Sequence, residues 1–148
     1  MNKVILAGVA AILLATAGLA YLYLQPESTA TIIFGGQRLT VDLAKTSTQQ
    51  EEGLSGRPSM AEDYGMLFVF DGGSQVGFWM KGMEFPLDII WFGANKNVIF
   101  YVQDLAPCTP IECPSYIPPS AAYYVLEVNA GFVALYNISI GETFSFES

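Results

Sequence analysis

Two cysteines, Cys108 and Cys113, stand five positions apart in Pro107-Cys-Thr-Pro-Ile-Glu-Cys-Pro114, and the chain has no others. In an oxidising compartment, a pair this close in a proline-stiffened loop most simply forms a structural disulfide. A redox-active pair would favour two intervening residues at the start of a helix, a pattern this segment lacks. A zinc site would need two further ligands, and the 148 residues contain no histidine. That absence removes the commonest metal ligand, the commonest general base and every Ser-His or Cys-His nucleophile pair. No metal and no cofactor is expected.

The other residues able to do chemistry are charged or aromatic. Phe78-Trp79-Met80-Lys81 leads into Phe85-Pro86-Leu87-Asp88. Strand alternation sends Phe78 and Met80 to one face and Trp79 and Lys81 to the other, so an exposed Trp79 beside Lys81 would offer a flat ligand or a sugar a platform. Lys81 and Asp88 are placed to pair across the turn between them, and the plainer reading is a structural ion pair. Glu127 stands among Tyr123, Tyr124, Val125, Leu126 and Val128, either on a wet face or buried and paired with Arg57 or Lys81. Asp88 and Glu127 would make the acid and base of a glycosidase-like site if held about 5–10 Å apart. Asn137-Ile138-Ser139 matches a glycosylation sequon, a triplet common by chance.

The elements that must position these residues begin after an apolar segment. Val4–Leu24 is unbroken by charge, follows Lys3 and ends at Gln25-Pro26-Glu27. It has the roughly 20 residues that span a bilayer, and Tyr21 and Tyr23 suit an interfacial belt. Residues 1–24 are therefore read as a membrane anchor with the N-terminus inside. The rival is a cleaved signal peptide using Gly18 and Ala20, which would leave the protein secreted, but signal cores are shorter, about 7–15 residues. Residues 25–29 read as a linker and 30–148 as a single globular domain.

Within that domain, Ala30–Phe34 and Gln37–Leu43 flank Gly35-Gly36, a hairpin signal because both turn positions accept positive φ. In the second strand Leu39, Val41 and Leu43 alternate with Arg38, Thr40 and Asp42, which predicts one buried and one wet face. Ser47 or Thr48 is placed to cap a short helix, with Thr48 and Glu51 as a capping box, and Gly53 and Gly56-Arg57-Pro58 stop it. Met66–Phe70 reads as a strand buried on both faces, and Asp71-Gly72-Gly73-Ser74 as a turn into a partner strand at Gln75–Met80. Leu87–Phe92 and Val98–Asp104 form another predicted hairpin. A proline-rich loop covers Leu105–Ser120, a long strand Ala121–Asn129, a short helix Gly131–Tyr136 and a final strand Thr143–Phe146. Many short strands with little helix predict a mainly β fold, a compact sandwich or partly closed barrel.

The net charge of −8 resides entirely in the domain, because the leader and linker carry one basic and one acidic residue. Such a balance disfavours nucleic acid and anionic lipid headgroups as partners, since both select clustered Lys and Arg.

Several segments together carry a resemblance. They are Gly53-Leu54 with Arg57, Gly65-Met66-Leu67-Phe68-Val69-Phe70, Phe78-Trp79-Met80-Lys81, Pro86-Leu87-Asp88-Ile89, Pro107-Cys108, Cys113-Pro114-Ser115-Tyr116 and Tyr124-Val125-Leu126-Glu127, with Gly131 and Gly141. On these the chain resembles the family known as domain of unknown function 192, over nearly the whole domain from about Thr40. The resemblance implies a compact β-sandwich or barrel and no activity. Two departures from the family pattern stand out: Ser55 replaces the usual Met after Gly-Leu, and Gly82-Met83 replaces the usual Asn-Thr.

The expectation is a membrane-anchored, extracytoplasmic, non-catalytic binding or accessory domain. Its binding residues are Arg57, Trp79, Lys81, Asp88 and Glu127, and its partner a small molecule, a glycan or an envelope protein. The alternatives are an envelope hydrolase using Asp88 and Glu127, and a structural envelope protein in which Arg57, Lys81, Asp88 and Glu127 form a buried ion network.

Overall fold

The computed structural model describes residues 28–109 and 111–147. The apolar segment Val4–Leu24 and the linker as far as Glu27 lie outside the described residues.

Seven strands form one mixed sheet: β1 (Thr29–Phe34), β2 (Gln37–Ala44), β3 (Tyr64–Ser74), β4 (Leu87–Phe92), β5 (Val98–Leu105), β6 (Ala122–Asn129) and β7 (Ser145–Phe146). Their spatial order is β5-β4-β6-β3-β2-β1-β7. Only the β2–β3 pairing is parallel, and its crossover contains the short helix α1 (Ser47–Glu52). A second short helix, α2 (Phe132–Leu135), follows β6. The mainly β expectation holds, but the two-sheet sandwich is corrected. All seven strands belong to one sheet, which is not closed into a barrel. Its two ends approach at a single antiparallel bridge, Asn97 to Thr143.

One sheet with two buried faces needs two cores. On the first face Ile32, Leu39, Val41, Leu67, Ile90, Leu126 and Val128 pack beneath Phe132 and Val133 of α2. On the second, Met66, Phe68, Ile89, Trp91 and Val125 pack beneath Leu54, Phe78 and Met80, which come from irregular segments. On the first face the sheet also curls onto itself, with the Phe34 ring of β1 and the Phe92 ring of β4 5.2 Å apart between centroids, and on the second irregular segments do what a second sheet would do in a sandwich. Strand β4, flanked by β5 and β6, is buried at all six positions for this reason. Each large apolar side chain removed from water in this way contributes about 1.5–3 kcal/mol.

The β1–β2 hairpin turns at Gly35 and Gly36, both at positive φ (59° and 71°), as predicted. The β4–β5 hairpin, the long strand β6 and the short helix after it also stand where the periodicity puts them. Three local expectations are corrected. The helix cap is Thr46, not Ser47 or Thr48: its side chain accepts from the Gln49 amide at 3.3 Å, and Gln49 Oε1 accepts from the Thr46 amide at 3.0 Å. Thr46-x-x-Gln49 has the same capping-box spacing as Thr48-x-x-Glu51, two residues earlier. Asp71-Gly72-Gly73-Ser74 is the far end of β3 and not a turn. Gly73 is small because of close approach: a Cβ there would meet the Tyr123 ring at 2.8 Å. Finally, Gln75–Met80 is not a strand paired with β3. It crosses the second face and is held by a bridge from Phe78 to Tyr116, with Phe78 N donating to Tyr116 O at 2.9 Å and Tyr116 N to Phe78 O at 2.8 Å.

Candidate functional site

Register and alternation decide which side chains can meet. Asp42 on β2 lies opposite Met66 on β3, Met66 opposite Glu127 on β6, and Glu127 opposite Ile89 on β4. Cross-strand partners share a face, so these four form one row on the second face. Asp88 lies opposite Val128 and therefore faces the other way.

Asp88 is fully buried on the first face. Its Oδ1 accepts from the amides of Asp104 at 2.8 Å and Gly131 at 3.3 Å, and its Oδ2 accepts from the Val133 amide at 2.8 Å. One carboxylate thereby fixes the start of α2 and the end of β5, where Asp104 takes φ 55°. Asp88 is a structural residue. The pairing with Glu127 that a two-carboxylate hydrolase requires is not made, because the sheet separates them, and the turn-spanning pair with Lys81 gives way to these three backbone donors.

Arg57 pairs with Asp42, Nη2 to Oδ2 at 2.7 Å, and the Tyr64 hydroxyl donates to Asp42 Oδ1 at 2.6 Å. Asp42 is buried, which corrects the wet face of β2 at this one position, while Arg38 and Thr40 are exposed as expected. The loop after α1 folds over this end of the strand and brings Arg57 as counter-ion. Alternation alone carries no signal for this, since it assigns the face before the covering loop is known.

Glu127 is the exceptional group. It is 5% exposed, and its Oε2 has no hydrogen-bond partner among the described residues. Removal from water disfavours the charged form, and burial raises the carboxyl from 4.5 to about 8. It is protonated at neutral pH.

Glu127 lines a cavity of about 340 Å³ bounded by α1, the loop after it, β3 and the 76–83 segment. Leu54, Phe68, Phe70, Val76, Phe78 and Met83 supply apolar wall, and Ser47, Gln50, Glu51, Glu52 and Ser55 polar lining. Trp79, 53% exposed, and the exposed Lys81 also line it. Gln50 ties α1 down by donating from Nε2 to Val69 O at 2.9 Å. Arg57 and Asp42 line an adjoining cavity of about 150 Å³, and Glu52, Gly53 and Ser55 border both. Of the five residues chosen from sequence, the structure brings Trp79, Lys81 and Glu127 together, places Arg57 next door and puts Asp88 on the far face.

The disulfide joins Cys108 to Cys113, with Cα atoms 5.0 Å apart. A parallel bridge links Cys108 to Lys81, and the Cys108 amide donates to Met80 O at 3.4 Å. The cysteine loop therefore holds the segment that carries Trp79 and Lys81. Among the described residues no cluster of three or more His, Cys, Asp or Glu is arranged to hold a metal ion.

These features define a small single-sheet β domain with one face opened into an apolar pocket over a neutral carboxyl. The chain belongs to the family of domain of unknown function 192, described as an uncharacterized ACR, whose model matches residues 30–146. Two solved structures share the fold. A candidate transcription regulator from Sinorhizobium meliloti 1021 is 30% identical, with a TM-score of 0.72 over 80% of this chain and 92% of that one. A protein of unknown function from Novosphingobium aromaticivorans DSM 12444 is 27% identical, with a TM-score of 0.69 over 79% of this chain and 83% of that one. No curated protein matches the chain.

Proposed function

We propose that this protein is a membrane-anchored, extracytoplasmic, non-catalytic binding module that takes a small, largely apolar molecule into the cavity over Glu127. The observation that carries this reading is a cavity of about 340 Å³ lined by Glu127, a buried carboxyl group whose Oε2 has no hydrogen-bond partner among the described residues. Small-molecule sites are concave, mostly apolar and oriented by a few polar groups, with volumes from about 300 Å³ upward. A buried polar atom without a partner costs stability, roughly 1–3 kcal/mol, and a ligand that satisfied it would recover that cost.

The non-catalytic part rests on what stands around Glu127. Asp88, the carboxylate that would complete a glycosidase-like pair, is consumed by backbone donors on the opposite face. The extracytoplasmic part rests on the Cys108–Cys113 disulfide and on the apolar run Val4–Leu24. Among the described residues no helix is long and apolar enough to cross a membrane, and the anchoring proposed here rests on the sequence of that run alone. Regulation of transcription, suggested by the name of one structural relative, draws no support from a chain of net charge −8.

The test is ligand-observed NMR of the full chain against a set of small amphiphiles, repeated with Trp79→Ala and Lys81→Ala. Binders are expected to lose affinity several-fold in at least the Trp79 variant, because Trp79 is the largest exposed apolar side chain on the cavity lining. If every molecule bound by the wild type binds both variants equally, the pocket is not the site and a structural role takes its place.

A further inference from the structure

We propose that the ligand is a small organic ammonium ion, an apolar amine whose cationic head meets Glu127 while its hydrocarbon or aromatic part fills the space between Phe68, Phe70 and Phe78. This deepens the pocket-binding reading above and rests on it.

The lining chooses the sign of the ligand. Two carboxylates, Glu51 and Glu52, and the neutral carboxyl group of Glu127 border the cavity against one cation, Lys81. The remaining charge in the same cross-strand row, Asp42, is already paired with Arg57. Two cross-strand steps separate it from Glu127, about 10 Å. On β3 and β4 the side chains beside Glu127 are Met66 and Ile89, which offer no charge. Glu51 and Glu52 sit on α1 and are exposed, so they draw a cation toward the mouth without being neutralised by it. Past the mouth the wall is aromatic, and ring faces attract a cation where they repel an anion.

Glu127 then supplies the specific contact. Its Oε2 has no hydrogen-bond partner among the described residues, and a carboxyl group so placed gains most from a donor that also carries charge. The exchange balances simply. An ammonium ion enters, the carboxyl group releases its proton to solvent, and an ammonium–carboxylate pair replaces a neutral acid. No covalent bond is made. Binding is therefore coupled to release of close to one proton at pH 7, because burial holds the carboxyl protonated up to about pH 8. Amine affinity rises with pH, by up to ten-fold per unit below that range, and levels off above it. A neutral ligand shows neither effect.

The experiment uses the full chain in phosphatidylcholine nanodiscs, with empty nanodiscs subtracted, and three probes of one shape: phenethylamine, 2-phenylethanol and 3-phenylpropanoate. Calorimetry at pH 7 in two buffers of different ionisation enthalpy counts the protons released. The amine is expected to bind at least ten-fold more tightly than the alcohol and to release close to one proton, whereas the alcohol releases none. Glu127→Gln, neutral and nearly isosteric with the protonated acid, should cost the amine ten-fold or more and abolish the proton release. If the alcohol or the propanoate binds as tightly as the amine, or the amine releases no proton, the ammonium assignment fails while the pocket reading stands. If no probe binds, both fail. The wild-type comparison needs no variant, so the outcome does not depend on the folding of Glu127→Gln.

Discussion

Glu127 and Asp88 are acidic residues buried on opposite faces of one sheet, and their surroundings give them opposite work. Asp88 accepts three backbone hydrogen bonds and so belongs to the scaffold. Glu127 leaves one oxygen unused and so is held at a cost. The pH dependence of that cost has a definite sign. In the unfolded chain a glutamate ionises near 4.5, but in the folded protein burial delays this to about 8. Below the first value both states are protonated and the group does not penalise folding. Between the two the unfolded chain binds fewer protons than the folded one, so stability falls as pH rises, and above about 8 the loss is complete. Removing this one carboxyl should flatten the profile. Denaturant titrations of Glu127→Gln from pH 4 to 9 are expected to stay level where the wild type declines, with the variant the more stable by a few kcal/mol at the alkaline end. A wild-type curve parallel to that of the variant would mean that Glu127 is not buried as described.

At the scale of elements, the strands were legible in the sequence and the pieces that build the site were not. Period-two alternation and the Gly35-Gly36 turn place β1 and β2, and the apolar run Leu87–Phe92 marks a strand buried at every position. These patterns are local and survive folding unchanged. The pocket wall is not local. Gln75–Met80 has strand-like composition, yet it pairs at Phe78 with Tyr116, nearly forty residues on. Gly73 looks like a turn and serves close packing against Tyr123. Asp42 looks exposed until Arg57 folds over it. In each case a contact far along the chain overrides the nearby signal. The cysteine loop is the element that makes this arrangement durable, since Cys108 is bridged to Lys81 beside the cavity mouth. Cross-linking so short a loop restricts the unfolded chain only modestly, by about 2 kcal/mol. Cys108→Ser with Cys113→Ser should lower stability by about that amount in urea titrations, and wild type treated with reductant should follow the same curve. Equal stability in all three states would detach the disulfide from any role in holding the pocket segment.

For the molecule as a whole, the distribution of charge and apolarity along the chain is what supports the anchored placement proposed above. The 119 residues from Ala30 onward carry the full −8, and the stretch before them carries the long apolar run Val4–Leu24. An acidic domain is repelled by anionic headgroups, so attachment through its surface would be weak and sensitive to salt. Attachment through a run of about twenty apolar residues would be neither. Membrane fractions of cells making the full chain should therefore retain it through washes in 1 M salt and in alkaline carbonate, whereas a chain lacking residues 1–24 should appear in the soluble fraction. The same preparations report the compartment. With Cys108 and Cys113 joined, a maleimide should modify the denatured protein only after reduction. Recovery of a shortened chain from the soluble extracytoplasmic fraction would turn the anchor into a cleaved signal. Release by salt together with free thiols would overturn both the anchoring and the oxidising location, and would leave the pocket over Glu127 to be explained inside the cell.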